Sequence, residues 1–363
     1  GGRYMVVTKS PLTGTIASSN SGGFFGPKLK DAGYDIIIFE GKAAQPVYLK
    51  LSSAGATLVD ATSVWGKDVD ETTDLLMAEA GDTAAKVACI GPAGENLSLI
   101  ASVMNDKARA AGRSGVGAVM GSKGLKFIIL DSKGGPGVEM ADKKVFDQGR
   151  KALTDALLEH DITKPKGALN SYGTAVLINI MNEAGGLPTR NFSSGRFEDA
   201  AEISGEALFE GNKERLGKEL YNHACSPGCI IQCSNTYHAP DGSEIASCDE
   251  NESAWSLGAD SGIDDLDDDA EQVRLCTAYG LDTNEAGTTI AVAMEAGIAE
   301  FGDGKKAIEL LHEMGQGTPL GRILGAGTHR AAQVLGVVRD PTVKGQSMPA
   351  YDPRAVKGLG VTY

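Results

Sequence analysis

Apolar residues recur along the first third of the chain in short, β-branched runs: YMVVT (4–8), DIIIFEG (35–41), PVYLKL (46–51), ATLVDA (56–61), AKVACIG (85–91) and KFIIL (126–130). Glycine and proline punctuate them, and runs of this length between turn-forming residues predict strands. One helical stretch interrupts the series, DVDETTDLLMAEAG (68–81), with acids in its first turn and a glycine at its end, as a capped helix requires. The segment SKGGPG (132–137) reads as a turn-rich boundary. Beyond residue 140 the period lengthens. VFDQGRKALTDALLEH (145–160), SYGTAVLINIMNEAG (171–185), DDAEQVRLCTAYG (268–280) and EAGTTIAVAMEAGIAEFG (285–302) place apolar residues at i, i+3 and i+4, which predicts helices. The pattern is that of an α+β chain with a sheet-rich domain over 1–135 and a mainly α-helical domain over 136–363.

Composition narrows the possible functions. A formal net charge of -14 without a basic stripe excludes recognition of a nucleic-acid backbone, which needs clustered cations to displace counterions. No apolar run approaches the roughly 18 residues of a membrane span. Six cysteines in 363 residues are too few for a disulfide scaffold, so a reducing, cytoplasmic setting is expected. The opening GGRYMVVTKS already reads as a strand and lacks an initiator methionine, which suggests an internal segment of a longer protein.

Three of the six cysteines lie within nine residues, in HACSPGCIIQCSN (223–235). Pro227 and Gly228 break any helix between Cys225 and Cys229, leaving a loop able to wrap an ion, and thiolates are soft ligands suited to zinc or to iron–sulfur iron. A zinc site would complete its set with His223, His238 or Cys248, although C-x3-C-x3-C is not a common zinc spacing. A cubane would take its fourth ligand from elsewhere. Two glycine-rich turns follow as candidate anion or heterocycle sites. AAGRSGVGAVMGSKG (110–124) offers Arg113 and close backbone N–H groups, and SSNSGGFFGPKLKDAGYD (18–35) offers Asn20 and Gly22. Neither matches a dinucleotide or Walker pattern. The acids of DENESAW (249–255) read, on residue type alone, as solvated surface carboxylates, and IDDLDDDAEQ (263–272) as a helix N-terminus complementing its macrodipole.

Taken in order, six stretches resemble the aldehyde:ferredoxin oxidoreductase family. They are VTKSPLTGTIASSNSGGFFGPKLKDAGYD (7–35), ARAAGRSGVGAVMGSKGLK (108–126), CSPGCIIQCSN (225–235), ENESAWSLGADSGIDD (250–265), YGLDTNEAGTTIAVAME (279–295) and MPAYDPRAVKGLGVTY (348–363). The resemblance implies a tungsten (less commonly molybdenum) bis-pterin cofactor with magnesium between the pterin phosphates and a 4Fe-4S cluster nearby. It also implies oxidation of a small aldehyde to a carboxylic acid, with electrons passing through the cluster to ferredoxin or a partner electron-transfer subunit, in a protein expected to be a homodimer at full length. The first domain would then be an N-terminally incomplete pterin-binding saddle, and the second a C-terminally incomplete helical cover.

Carried over position by position, the resemblance assigns Arg3, Asn20 and Gly22 to one pterin and Arg113, Ser114, Gly115 and Val116 to the phosphate or pterin region. It assigns Thr277, Gly280, Leu281 and Asp282 to a D-x-x-G-L-D pterin motif, Cys225, Cys229 and Cys233 to the cluster, and Glu252 to proton transfer beside the metal. Three departures stand out. Three residues separate the first two cysteines where the family often has two, Thr277 replaces the motif's first acid, and Asn251 stands where many relatives carry tyrosine. Glu271 is a candidate half of a subunit-bridging metal site.

Overall fold

The computed structural model describes residues 2–80, 85–247 and 249–358. Cys248, one of the candidate zinc ligands, lies outside the described residues, as does the end of the sixth stretch. The fold is mixed α/β, with helix outweighing strand. No described helix is long and apolar enough to cross a membrane.

An antiparallel hairpin opens the chain, β1 (Tyr4–Lys9) against β2 (Ile16–Ser21), with Met5 facing Asn20 in register. A six-stranded sheet follows, built from β3 (Val47–Ser52), β4 (Gly55–Asp60), β5 (Lys86–Cys89), β6 (Val103–Asn105), β7 (Arg109–Ala111) and β8 (Leu125–Asp131) in the order β4-β3-β8-β5-β6-β7. Only β3 and β8 pair in parallel. Period-2 alternation sends Leu49, Leu51 and Leu130 to one face, where they meet Ala17, Phe25, Val116 and Met120. Tyr48, Phe127 and Ile129 go to the other face, against Val69 and Leu76 of the Val69–Ala80 helix.

The predicted strand at 35–41 is extended but pairs with nothing among the described residues. Its alternation is real, since Ile37 and Phe39 pack on the core while Ile36 (75% exposed) and Ile38 (79%) face outward. No sheet edge meets it. The predicted helix at 171–185 is likewise broken, because Gly173 adopts φ 64 between the Ala168–Tyr172 helix and the Leu177–Glu183 helix.

The helical core packs the Leu266–Tyr279, Thr283–Glu295, Gly304–Gln316 and Thr328–Leu335 helices around Leu275, Ile290, Leu311 and Ala331. Short hairpins β9 (Thr236–His238) with β10 (Glu244–Ser247) and β11 (Thr342–Val343) with β12 (Gln346–Ser347) lie at its margins. Asp265 caps the Leu266–Tyr279 helix as the acidic run predicts, accepting from the N–H groups of Asp267 and Asp268. Sheet and helical regions meet where Ala101 bridges Leu281, Ser102 N–H donates to Gly280 and Asp282 N–H donates to Ile100.

Candidate functional site

The residues assigned to the first pterin and to the cluster come together at the end of the N-terminal hairpin. Arg3 and Asn20 share its exposed face, joined by an Nη1 to Oδ1 hydrogen bond of 2.8 Å. Met5, Val7 and Ile16 give the same face an apolar stripe. Gly22 and Gly23 follow β2 and touch the cysteine loop: Gly23 N–H donates to the Cys225 carbonyl at 2.7 Å, and a Cβ at Gly22 would stand 3.1 Å from the same oxygen. Cys225 is therefore packed directly against the hairpin.

The cysteine loop is closed at its base by two backbone hydrogen bonds between His223 and Ser234, 2.8 and 3.1 Å. Left-handed residues Gly228 (φ 76) and Gln232 (φ 53) turn the chain inside it. The three thiols differ in environment. Burial pushes the Cys229 thiol up, but N–H groups of Gln232 and Ile231 and a bond from Cys225 outweigh it, so the pKa falls below the ordinary thiol value. Cys233 is pushed up to about 11 by burial, by the Glu250 carboxylate and by the other two sulfurs. Among the described residues no three His, Cys, Asp or Glu side chains converge on a single-ion site. Of the two histidines near the loop, His223 Nε2 lies 3.3 Å from Arg109 Nη2, and His238 Nδ1 lies 3.2 Å from Asn212 Oδ1.

A second cluster forms where β7 runs out beneath the helical region. Arg113 Nε lies 3.4 Å from Asp282 Oδ2, and its Nη2 lies 3.2 Å from Glu285 Oε2 and donates to the carbonyl and hydroxyl of Ser347 at 2.8 and 2.7 Å. Glu285 is fully buried and accepts three further bonds, from Thr328 N–H, Ser347 N–H and Ser347 Oγ. Asp282 caps the Thr283–Glu295 helix. Gly280, in the left-handed region with φ 71, ends the preceding helix, and Thr277 offers that end a carbonyl for Gly280 N–H. Glu252 joins this cluster from the Asn251–Ser253 turn, which leads into the π-helical turn Ala254–Gly258. Burial raises its pKa, Ala350 N–H, Arg113 and Asn284 lower it, and Asp282 raises it, with a net upward direction. Asp282 is also raised, by burial first, with Arg113 opposing and Glu285 reinforcing.

The remaining assigned residues have packing roles. Ser114 Oγ donates to Gln346 at 2.7 Å, and its left-handed backbone (φ 71) accepts from Ser10. A Cβ at Gly115 would strike the Leu99 carbonyl, and the Val116 side chain lies in the sheet core. Glu271 is paired within its own helix to Arg274.

Three residues of the site lie outside the sequence assignments. Arg109, at the start of β7, stands 3.9 Å from Glu250 and beside His223, so it borders the cysteine loop just as Arg113 borders the carboxylates. The two arginines are at most about 14 Å of extended chain apart. Asn284 and Glu285 sit side by side in the first turn of their helix. The motif A-R-A-A-G-R held the only sequence hint of Arg109, a second arginine four residues before Arg113.

A bis-pterin and a cluster are tested by what the site lacks. Glu252 Oε1 and both side-chain polar atoms of Asn251 are buried without a hydrogen-bond partner among the described residues. Unsatisfied polar atoms of this kind are rare in native interiors; the Asn251 amide, one donor and one acceptor, suits the edge of an aminopyrimidinone ring, which carries both, and Glu252 Oε1 is left open beside it. Of the loop thiols, Cys229 with its lowered pKa suits iron as it stands, whereas Cys233 has to give up its proton against the nearby negative charge of Glu250. The residues fit the groups.

Two family models divide the chain between them. That for "Aldehyde ferredoxin oxidoreductase, N-terminal domain" matches residues 1–132, and that for "Aldehyde ferredoxin oxidoreductase, domains 2 & 3" matches residues 150–363. The chain belongs to the aldehyde ferredoxin oxidoreductase family. Among relatives in this oxidoreductase family, the tungsten-containing aldehyde ferredoxin oxidoreductase of Pyrococcus abyssi is 43% identical over 380 residues, covering 100% of this chain and 61% of the relative. Its counterpart in Pyrococcus furiosus is 42% identical over 378 residues, with 100% and 60% covered. The aliphatic sulfonate oxidoreductase, WOR-like subunit, of Pyrococcus furiosus is 29% identical over 386 residues, with 99% and 59% covered. The active-site complex BamBC of benzoyl coenzyme A reductase, solved with 1,5-dienoyl-CoA, superposes with a TM-score of 0.78 at 25% identity, over 96% of this chain and 55% of that one. The chain thus spans about three-fifths of the length of these curated relatives.

Beside the family motifs lies a buried carboxyl pair. Asp249 and Asp269 are 1% and 0% exposed, and the charge of one opposes that of the other in one buried site, an arrangement that favours a proton held between the two carboxyls. Burial, and next the Glu250 charge, raise Asp249 to about 6 against the lowering effect of Asp269, and Asp269 is raised well above the usual range by burial and by Asp249. The folded protein therefore keeps on Asp249 a proton that the unfolded chain releases near pH 4, and this contribution to stability is lost as pH rises through about 6. Asp249→Asn gives Asp269 an amide donor and leaves the Asp249 carbonyl in place for Asn235. It is expected to stabilise the protein by about 3 kcal/mol at pH 8 and to add nothing at pH 4. Urea unfolding at both pH values measures this, and an equal effect at both would show that the pair shares no proton.

Proposed function

We propose that the chain forms the cofactor-binding part of a tungsten enzyme that oxidises aldehydes to carboxylic acids. The balance is RCHO + H2O → RCOOH + 2 e⁻ + 2 H⁺. The observation that carries the reading is the convergence, over one short strand and its flanks, of the cysteine loop at Arg109 and a buried carboxylate cluster at Arg113. When bound, a tungsten bis-pterin with magnesium would supply two-electron oxidation chemistry, and a 4Fe-4S cluster would supply one-electron transfer toward ferredoxin or a partner subunit. The protein's own residues bind, orient and move protons. Arg3, Asn20 and Gly22 would hold one pterin. Arg113 and Asp282, with the backbone of Gly280 and Leu281, would hold the other, with Ser114, Gly115 and Val116 shaping the turn beneath it. Cys225, Cys229 and Cys233 would hold the cluster. Glu252 would take a proton as water adds to the aldehyde, through Oε1, the oxygen that no group among the described residues engages.

A second reading is favoured by Thr277 and Asn251, a hydroxyl and an amide where the family carries an acid and often a tyrosine. The same cofactor set would then serve a subunit of a larger electron-transfer complex acting on a non-aldehyde substrate, as the names of the sulfonate oxidoreductase subunit and the benzoyl-CoA reductase complex suggest. The test is tungsten and iron analysis of the full-length protein, its iron–sulfur absorbance and aldehyde-dependent reduction of a viologen dye. Both metals with turnover are expected. Both metals without turnover would favour the second reading, and absence of both metals would overturn the two together.

A further inference from the structure

Glu252 is gripped by one oxygen only. Its Oε2 accepts from the Asn284 side-chain amide at 2.9 Å and from Ala350 N–H at 3.1 Å, whereas its Oε1 is buried with no hydrogen-bond partner among the described residues. Asn284 is itself 5% exposed, and the structure gives its side chain a task separate from helix capping. Its backbone N–H is already capped by Asp282 Oδ1 at 3.2 Å, so the amide is not needed to start the helix. The donor lies in the first turn of a 13-residue helix, where the macrodipole also favours a carboxylate. The charged groups facing Glu252 are Arg113, which favours its ionised form, and Asp282, which opposes it.

We infer that Asn284 is a positioning residue for Glu252: with Ala350 N–H it fixes Oε2, so that Oε1 is the oxygen presented to the substrate side. The inference rests on the reading of Glu252 as the proton acceptor. The physical logic is that a carboxylate rotates freely about its terminal bond unless one oxygen is anchored, and two donors on one oxygen anchor it. The same donors favour the charged form, so they keep a buried carboxyl available as a base against the cost of its burial. An apolar residue at 284 would leave one donor, and an aspartate there would add another negative charge beside Asp282.

The test uses the metal-loaded full-length protein, labelled with 13C-glutamate, in the Asn284→Ala, Asn284→Asp and Glu252→Gln variants. Difference infrared spectra across pH follow the protonated-carboxyl band of Glu252, identified by its loss in Glu252→Gln. Losing the Asn284 donor is expected to move the Glu252 midpoint up by about one pH unit, a tenfold drop in ionised fraction below the midpoint. The isosteric Asn284→Asp variant is expected to move it further than Asn284→Ala, an ordering that simple loosening of the fold would not produce. The acid limb of the pH–rate profile should move with it. A Glu252 midpoint unchanged in both variants overturns the inference. Full activity in Glu252→Gln overturns instead the reading of Glu252 on which it rests, so the two failures are distinguishable.

Discussion

Glu252→Gln is expected to lower kcat for aldehyde oxidation by about 10²–10⁴-fold while leaving the tungsten content unchanged. Glutamine fills the same volume, and its amide oxygen can still accept from Asn284 and Ala350, so the segment 249–253 should stay in place. What is lost is the capacity of the second oxygen to take a proton. Because that atom is buried away from bulk water, no solvent molecule of the surroundings substitutes for it readily. Steady-state kinetics with metal analysis of the same preparations would measure the effect, and a kcat within about threefold of wild type would remove Glu252 from the chemistry.

The second large effect is expected on stability. Glu285→Ala should cost about 3–5 kcal/mol, the range for breaking a buried ion pair by removing one partner. The carboxylate ties four segments together: Arg113 below the sheet, its own helix, the N-terminus of the Thr328–Leu335 helix through Thr328 N–H, and β12 through Ser347. Alanine leaves the Thr328 and Ser347 N–H groups without this acceptor and leaves Arg113 one carboxylate short. Glu285→Gln keeps an acceptor and should cost less, about 1–3 kcal/mol. The exposed pair Lys143–Asp147 provides the contrast, since Asp147→Ala should change stability by no more than about 1 kcal/mol. Equilibrium urea unfolding measures all three, and a Glu285→Ala variant within about 1 kcal/mol of wild type would show that the four segments are held by other means.

Much of this fold could be read from periodicity. The alternating runs at 4–8, 46–51, 56–61, 85–91 and 126–130 are β1, β3, β4, β5 and β8, and the helices at 68–81, 145–160 and 268–280 begin and end within a few residues of their predicted bounds. Strands β6 and β7 have three residues each, too short for a period to show. The run at 35–41 has the period of a strand and lacks a neighbour, because pairing depends on where the sheet edges fall and not on the run itself. The motifs of the site could also be read, since glycine turns and clustered thiols leave local signatures.

The burial of its carboxylates could not. Residue type makes Asp249 and Glu252 surface acids, and only the packing of 249–258 against the helical core buries Asp249 and half-buries Glu252. Asp269 shows the same limit from the other side. Its neighbours Asp265, Asp267 and Asp268 behave as a helix N-terminus should, capping the turn or pairing with Arg215 and Lys305, while Asp269 turns inward to Asp249. Asn284 and Glu285 lie within the stretch 279–295 but have no assigned task there, and their importance lies in contacts with residues 32 and 172 positions away.

The closed base of the cysteine loop bears on the order of assembly. Two backbone hydrogen bonds between His223 and Ser234, and the bond from Gly23 to Cys225, fix both ends of the loop without help from any thiol. The entropy of loop closure is thus met during folding rather than at metal capture. A chain built this way holds the base of the loop in place before any ion is bound. On the proposed reading, an iron–sulfur unit can be delivered to the finished protein, and its loss should leave the surrounding hairpin and loop base in place.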